Sequence, residues 1–160
     1  MPHLGSMIGF YRRDRGEFTL VDGLILVVLM VIVSGTTVSI IEAAGRRAKV
    51  SGTLQNLRVL RARIELYKLE HHGKPPLLYE GGLPQLTSHT NEHGVPGKPG
   101  PDFSYGPYLP TGVPMNPLTN AHIVTATDVF PPVAPSGKGG WLYHEKTGQI
   151  APDVEGYLDY

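Results

Sequence analysis

The chain has no cysteine in 160 residues, which excludes disulfide staples and cysteine-ligated metals but leaves the compartment open. It also lacks any excess of charge. Fourteen basic residues balance fourteen acidic ones, so no general positive field exists to attract nucleic acid or anionic lipid. No P-loop, dinucleotide fingerprint, nucleophile elbow or paired-carboxylate signature occurs, and the sequence predicts neither an enzyme nor a cofactor. The histidines are scattered. His89 and His93 have metal-like spacing, but they lie in Gly/Pro-rich chain with no helix to align them, so no metal site is expected. The segment Ser136-Gly137-Lys138-Gly139-Gly140 looks like a phosphate cradle, but it lacks the strand before it and the helix after it. It reads as a hinge loop.

What the chain does have is one long apolar run. From Gly23 to Ile41 no charge interrupts the sequence, and about 19 helical residues span roughly 28 Å, enough to cross a hydrocarbon core. A transmembrane helix is therefore predicted over 17–41. One carboxylate, Asp22, stands just inside its leading end. Charge leaves the orientation open, because Arg12, Arg13 and Arg15 precede the run while Arg46, Arg47 and Lys49 follow it.

With Gly16, Phe18, Thr19, Leu20 and Val21 placed between the arginine-bearing leader and the run, the chain resembles the type IV pilin-like family. Two positions depart from that pattern: Glu17 separates Gly16 from Phe18, and Asp22 stands where the family has Glu. The resemblance implies cleavage of the leader, residues 1–16, by a prepilin peptidase. A cut after Gly16, the preferred reading, makes Asp22 the sixth mature residue; a cut after Glu17 makes it the fifth. It further implies a cytoplasmic leader, a single pass of the inner membrane through residues 18–41, and an extracytoplasmic C-terminal domain.

An unpaired carboxylate at the centre of a bilayer costs up to about 3 kcal/mol, so an acid in a membrane helix calls for a partner. Solvation of Asp22 by headgroups is the bland reading. The resemblance implies a sharper one, in which the acid pairs with the N-terminal ammonium of a neighbouring subunit and sets the helix stagger during filament assembly. Gly35 and Ser39 form a small-x-x-x-small pair of the kind that lets helices approach, though such pairs also arise by chance in apolar segments.

Beyond the run, Val50, Leu54, Leu57, Leu60, Ile64 and Tyr67 recur at spacings of three and four. They predict an amphipathic continuation of the helix over 42–72, ended by Gly73, Pro75 and Pro76. Ser34-Gly35-Thr36-Thr37 predicts a bend or an easily melted turn within it. Residues 73–160 are expected to form one small domain, mostly irregular chain up to Gly140. Its predicted strands are 121–127, then a hairpin of Trp141-Leu-Tyr-His144 and Gln149-Ile-Ala-Pro152 around a turn ending in Gly148, with an edge strand at 157–160. Trp141 and Tyr143 are expected to pack on the helix stripe.

The order Gly106-Pro-Tyr-Leu-Pro110, Pro114-Met-Asn-Pro117 and Gly140-Trp-Leu-Tyr143 is similar to the globular domain of type II secretion major pseudopilins. This resemblance implies an α+β, pilin-like fold, with a long N-terminal helix packed on a small antiparallel sheet with long Pro/Gly-rich loops. It also implies a structural role: self-assembly into a filament for protein secretion, with prepilin peptidase, other pseudopilins and an inner-membrane assembly platform as partners. The calcium loop of that group is not carried over, because Asp153, Glu155 and Asp159 are sparse, although a meeting of Asp128 with Asp153 in space stays open. Two other readings are a minor pilin for adhesion or DNA uptake and an extracytoplasmic binding domain with an ordinary signal sequence cleaved near Gly35.

Overall fold

The structure, a computed structural model, describes residues 19–160, leaving aside the side chains of 32–40. It is mixed α and β. Its contacts divide it into two compact units, Met1–Ala43 and Ala44–Tyr160. Helix α1, Leu20–Glu70, is 51 residues long, and its backbone is helical at 34–37 too, where the sequence suggests a bend or an easily melted turn. A short helix α2 (Pro84–Thr87) follows, with Pro84 at its start, where a missing N–H is harmless. The strands are β1 (His89–Thr90), β2 (Pro96–Gly97), β3 (Val124–Ala126), β4 (Trp141–His144) and β5 (Gln149–Pro152).

In the second unit the helix buries one stripe. Thr53, Leu57, Leu60, Ile64, Tyr67 and His71 are each at most 2 % exposed, spaced alternately by four and three residues so that all fall on one face. Val50 and Leu54 are only partly covered, so the buried stripe starts later than the apolar pattern suggested. The helix ends as expected. His72 and Gly73 both take positive φ (56 and 78°), and the Gly73 N–H donates to the Lys68 carbonyl at 2.8 Å, while Pro75 and Pro76 follow. The His71 ring completes this end, its Nδ1 lying 2.8 Å from the Tyr67 carbonyl and its face stacked on Tyr67 with centroids 3.9 Å apart.

The larger sheet has the order β3-β4-β5. The β4–β5 hairpin is antiparallel and falls on the predicted residues, with Trp141 opposite Pro152 and Tyr143 opposite Ile150. β3 instead pairs parallel with β4, Val124 opposite Trp141, so the expected all-antiparallel sheet is corrected to a mixed one. Two neighbouring strands can run parallel only if the chain returns to its starting end between them. Residues 127–140 make that return. The expected edge strand at 157–160 is absent, its residues forming turns instead.

Alternation along the sheet sends Val124, Trp141, Tyr143 and Ile150 into a single cluster with Leu57, Leu60, Ile64 and Tyr67, so Trp141 and Tyr143 do pack on the helix stripe. Each polar tip has a partner. Trp141 Nε1 donates to the Pro114 carbonyl (2.8 Å) and the Tyr143 hydroxyl to the Pro76 carbonyl (2.7 Å). Burial raises the Tyr143 hydroxyl above its ordinary pKa, helped by the negative charges of Glu145 and of ionised Tyr67.

Leu142 and Ala151 point to the opposite face yet are 3 % and 0 % exposed, so that face is covered as well. The return segment is fastened to the end of β5. Ser136 gives its N–H to one oxygen of buried Asp153 and its hydroxyl to the other, at 2.6 and 2.5 Å. The predicted hinge loop at 136–140 is thus tied down at Ser136 by the buried carboxylate of Asp153.

Candidate assembly helix

Thr19 precedes the first residue of α1 and Asp22 is its third, the spacing at which two side chains can satisfy each other's backbone amides. They do so here. Asp22 Oδ2 accepts from the Thr19 N–H at 3.0 Å and from the Thr19 hydroxyl at 2.8 Å, while Thr19 Oγ1 lies 3.3 Å from the Asp22 N–H. The acid thus closes the helix start locally, and its charge lies at the positive end of the helix dipole. The sequence contained this signal, since Thr-x-x-Asp before an apolar run is a capping box, but the reading of Asp22 as an intersubunit partner passed over Thr19.

Around and behind the cap the helix surface is apolar apart from Asp22 itself. Leu20, Val21, Leu24, Ile25, Leu26, Val27, Val28, Leu29, Met30 and Val31 are all exposed, the most covered of them, Leu26, still at 47 %. Ten neighbouring apolar side chains around a whole helix form a patch far beyond what a monomer keeps in water, and water would charge roughly 25 cal/mol for each Å² of it. A helix apolar all round belongs in a core of other helices or in lipid. Among the described residues no helix is long and apolar enough to cross a membrane. The predicted span draws part of its length from 17–18 and 32–40, which lie outside that description. The same holds for the cleavage residues Gly16, Glu17 and Phe18 and for the side-chain pair Gly35 and Ser39. Of the site residues read from sequence, Asp22 is therefore the one placed, and Thr19 is added to it.

Several other polar side chains are held by partners within the second unit. The His71 Nε2 lies 3.1 Å from Thr90 Oγ1 and 3.0 Å from the Asn91 carbonyl, in a cage closed by Tyr105 and Tyr108 at ring distances of 5.2 and 6.2 Å. Tyr108 donates its hydroxyl to Glu70 at 2.5 Å, and burial together with that carboxylate raises its pKa. Arg61 sends Nε and Nη2 to the Ile150 carbonyl at 3.2 and 3.0 Å, and burial lowers its pKa. Among the described residues no three His, Asp or Glu side chains converge as a metal site would require. Both carboxylate oxygens of Asp153 accept from Ser136, and Asp128 is exposed.

Comparison with protein-family models, with characterised proteins and with solved structures finds no match.

Proposed function

We propose that the chain is a structural subunit of a pilin-like filament, of the kind that serves type II secretion, and that its work is assembly. The observation that carries this is the capped start of α1 followed by exposed apolar side chains from Leu24 to Val31, on the same helix that supplies the buried stripe of the C-terminal unit. One element then has two solvents. Its first part stands in lipid before assembly and in a bundle of like helices afterwards, while its later part is the spine of an extracytoplasmic domain. The cap fits this duty, because it satisfies amide donors at the helix start that hydrocarbon cannot solvate. On this reading Asp22 exchanges its local partner, Thr19, for the terminal ammonium of the next copy, so that both charges are neutralised inside the bundle.

The test is the N-terminal residue and intact mass of the protein recovered from its native membranes. A start at Glu17 or Phe18, with an added methyl group, supports prepilin processing and identifies the bond cut. A start at Thr36 in a soluble fraction would replace this reading with a secreted binding domain.

A further inference from the structure

The neutral total charge conceals an uneven distribution. Between Glu42 and Glu65 the chain carries Arg46, Arg47, Lys49, Arg58, Arg61 and Arg63 and no acid at all. Arg61 is occupied with the Ile150 carbonyl, whereas Arg46, Arg47 and Lys49 are exposed and make no ion pair among the described residues. The surface around the three cations is open: a Cβ placed on Gly45 would meet nothing within 4 Å.

We propose that Arg46, Arg47 and Lys49 form a collar that binds the phosphate headgroups of anionic phospholipid on the extracytoplasmic side of the membrane. This rests on the reading of the preceding run as a membrane anchor. Arg46 comes five residues after Ile41 and Lys49 eight, a helical rise of roughly 8 to 12 Å past the last apolar residue, about the depth of a headgroup layer. At 3.6 residues per turn the three side chains spread over roughly 160° of the helix circumference. That is a little under half of the circumference, and a headgroup layer, which lies around the helix, meets the whole of that arc. The apolar stems of Arg and Lys lie along the hydrocarbon boundary while the charged ends reach phosphate. The collar also explains why cations follow the span as closely as they precede it. They act as a depth stop on the outer side, and they hold the subunit in the bilayer until extraction.

The test uses the full chain reconstituted into phosphatidylcholine bilayers with a minor share of phosphatidylglycerol, reading the association of trace spin-labelled lipid of either kind. Wild type is expected to prefer phosphatidylglycerol, and the triple variant Arg46→Gln/Arg47→Gln/Lys49→Gln to lose that preference by roughly fivefold or more, given the strength of basic side chains at an anionic surface. Raised salt should flatten the wild-type preference towards the variant's. Arg58→Gln/Arg63→Gln, placed well beyond headgroup reach, should leave it unchanged. Equal loss in both variants would assign the preference to the domain's overall field, and no preference in wild type would remove the collar while the anchor stands. A lipid preference left intact in the triple variant, with contacts between copies lost, would reassign the cations to the filament. Release of wild type by alkaline carbonate would remove the anchor and the collar together.

Discussion

Asn116 and Thr53 meet across 63 positions of sequence, the Thr53 hydroxyl donating to Asn116 Oδ1 at 2.9 Å with both residues fully buried. The same amide accepts from the Leu118 N–H at 3.0 Å and gives Nδ2 to the Gly140 carbonyl at 2.9 Å. One side chain therefore joins helix α1, the turn at 114–120 and the start of β4. Asn116→Ala strands the buried Thr53 hydroxyl and the part-buried Leu118 N–H, while the Gly140 carbonyl keeps the Asp153 N–H, and is expected to destabilise the domain by about 2 kcal/mol or more. Thr53→Val removes one donor and keeps the shape, at about 1 kcal/mol. Urea midpoints of the two variants would check the order, and equal shifts would refute it.

The fragment 44–160 should fold alone. It contains the whole cluster from Leu57 to Ile150 and lacks the exposed apolar residues 20–31. The expected outcome is a monodisperse protein in plain buffer with a cooperative thermal transition, while the full chain needs detergent. A fragment that aggregates or melts without cooperativity would show that the first unit contributes to the core.

Alkaline pH should unfold the domain through its tyrosines. Tyr143 and Tyr108 have pKa values raised above the ordinary 10.0, chiefly by burial. The folded state thus holds its phenolic protons where the unfolded state releases them, and stability falls as pH rises above about 10 while staying level below it. Tyr143→Phe should lower stability at neutral pH by losing the Pro76 contact, yet show a shallower decline above that point. Thermal midpoints across pH 8 to about 11 would separate the two effects.

Asp22 can be divided into cap and charge. Asp22→Asn retains an oxygen that accepts from Thr19, so amide exchange at the start of α1 should change little, whereas filament yield should collapse if the carboxylate pairs with an ammonium. Thr19→Val is expected to do the reverse, fraying the first turn at a cost of about 1 kcal/mol while leaving the charge. Normal filaments from Asp22→Asn would confine the acid to capping.

Gly140 has no tolerance for a side chain. Its φ is 75°, and a Cβ would lie 2.1 Å from the Ile123 carbonyl oxygen, which accepts from the Trp141 N–H at 2.9 Å. Gly140→Ala should separate β3 from β4 and abolish soluble expression of the fragment, whereas Gly156→Ala, with nothing near, carries only the strain of its positive φ.

The parts of this fold that were legible in the sequence are those whose signal is local. The hairpin announced itself by alternating Trp141, Leu142 and Tyr143 and by a turn closing on Gly148, and the helix by its three-four spacing. The β3–β4 pair was not legible as parallel, because a short strand carries no mark of its partner's direction. Thr53 and His71 were missed from the buried stripe since their polarity is satisfied only by residues far along the chain, Asn116 and Thr90. The Asp153 clamp was hidden in the same way. At the assembly helix the apolar run was plain, and Thr19 went unread although its spacing from Asp22 is a local pattern.

The parallel pairing of β3 with β4 also constrains how such a chain can vary over time. Because 127–140 must carry the chain back along the sheet and be fastened at Ser136, losing residues there would tear the register, but extra residues between the fastening and Thr127 can bulge outward at little entropic cost. Descendants of this sequence should therefore lengthen that segment far more often than they shorten it.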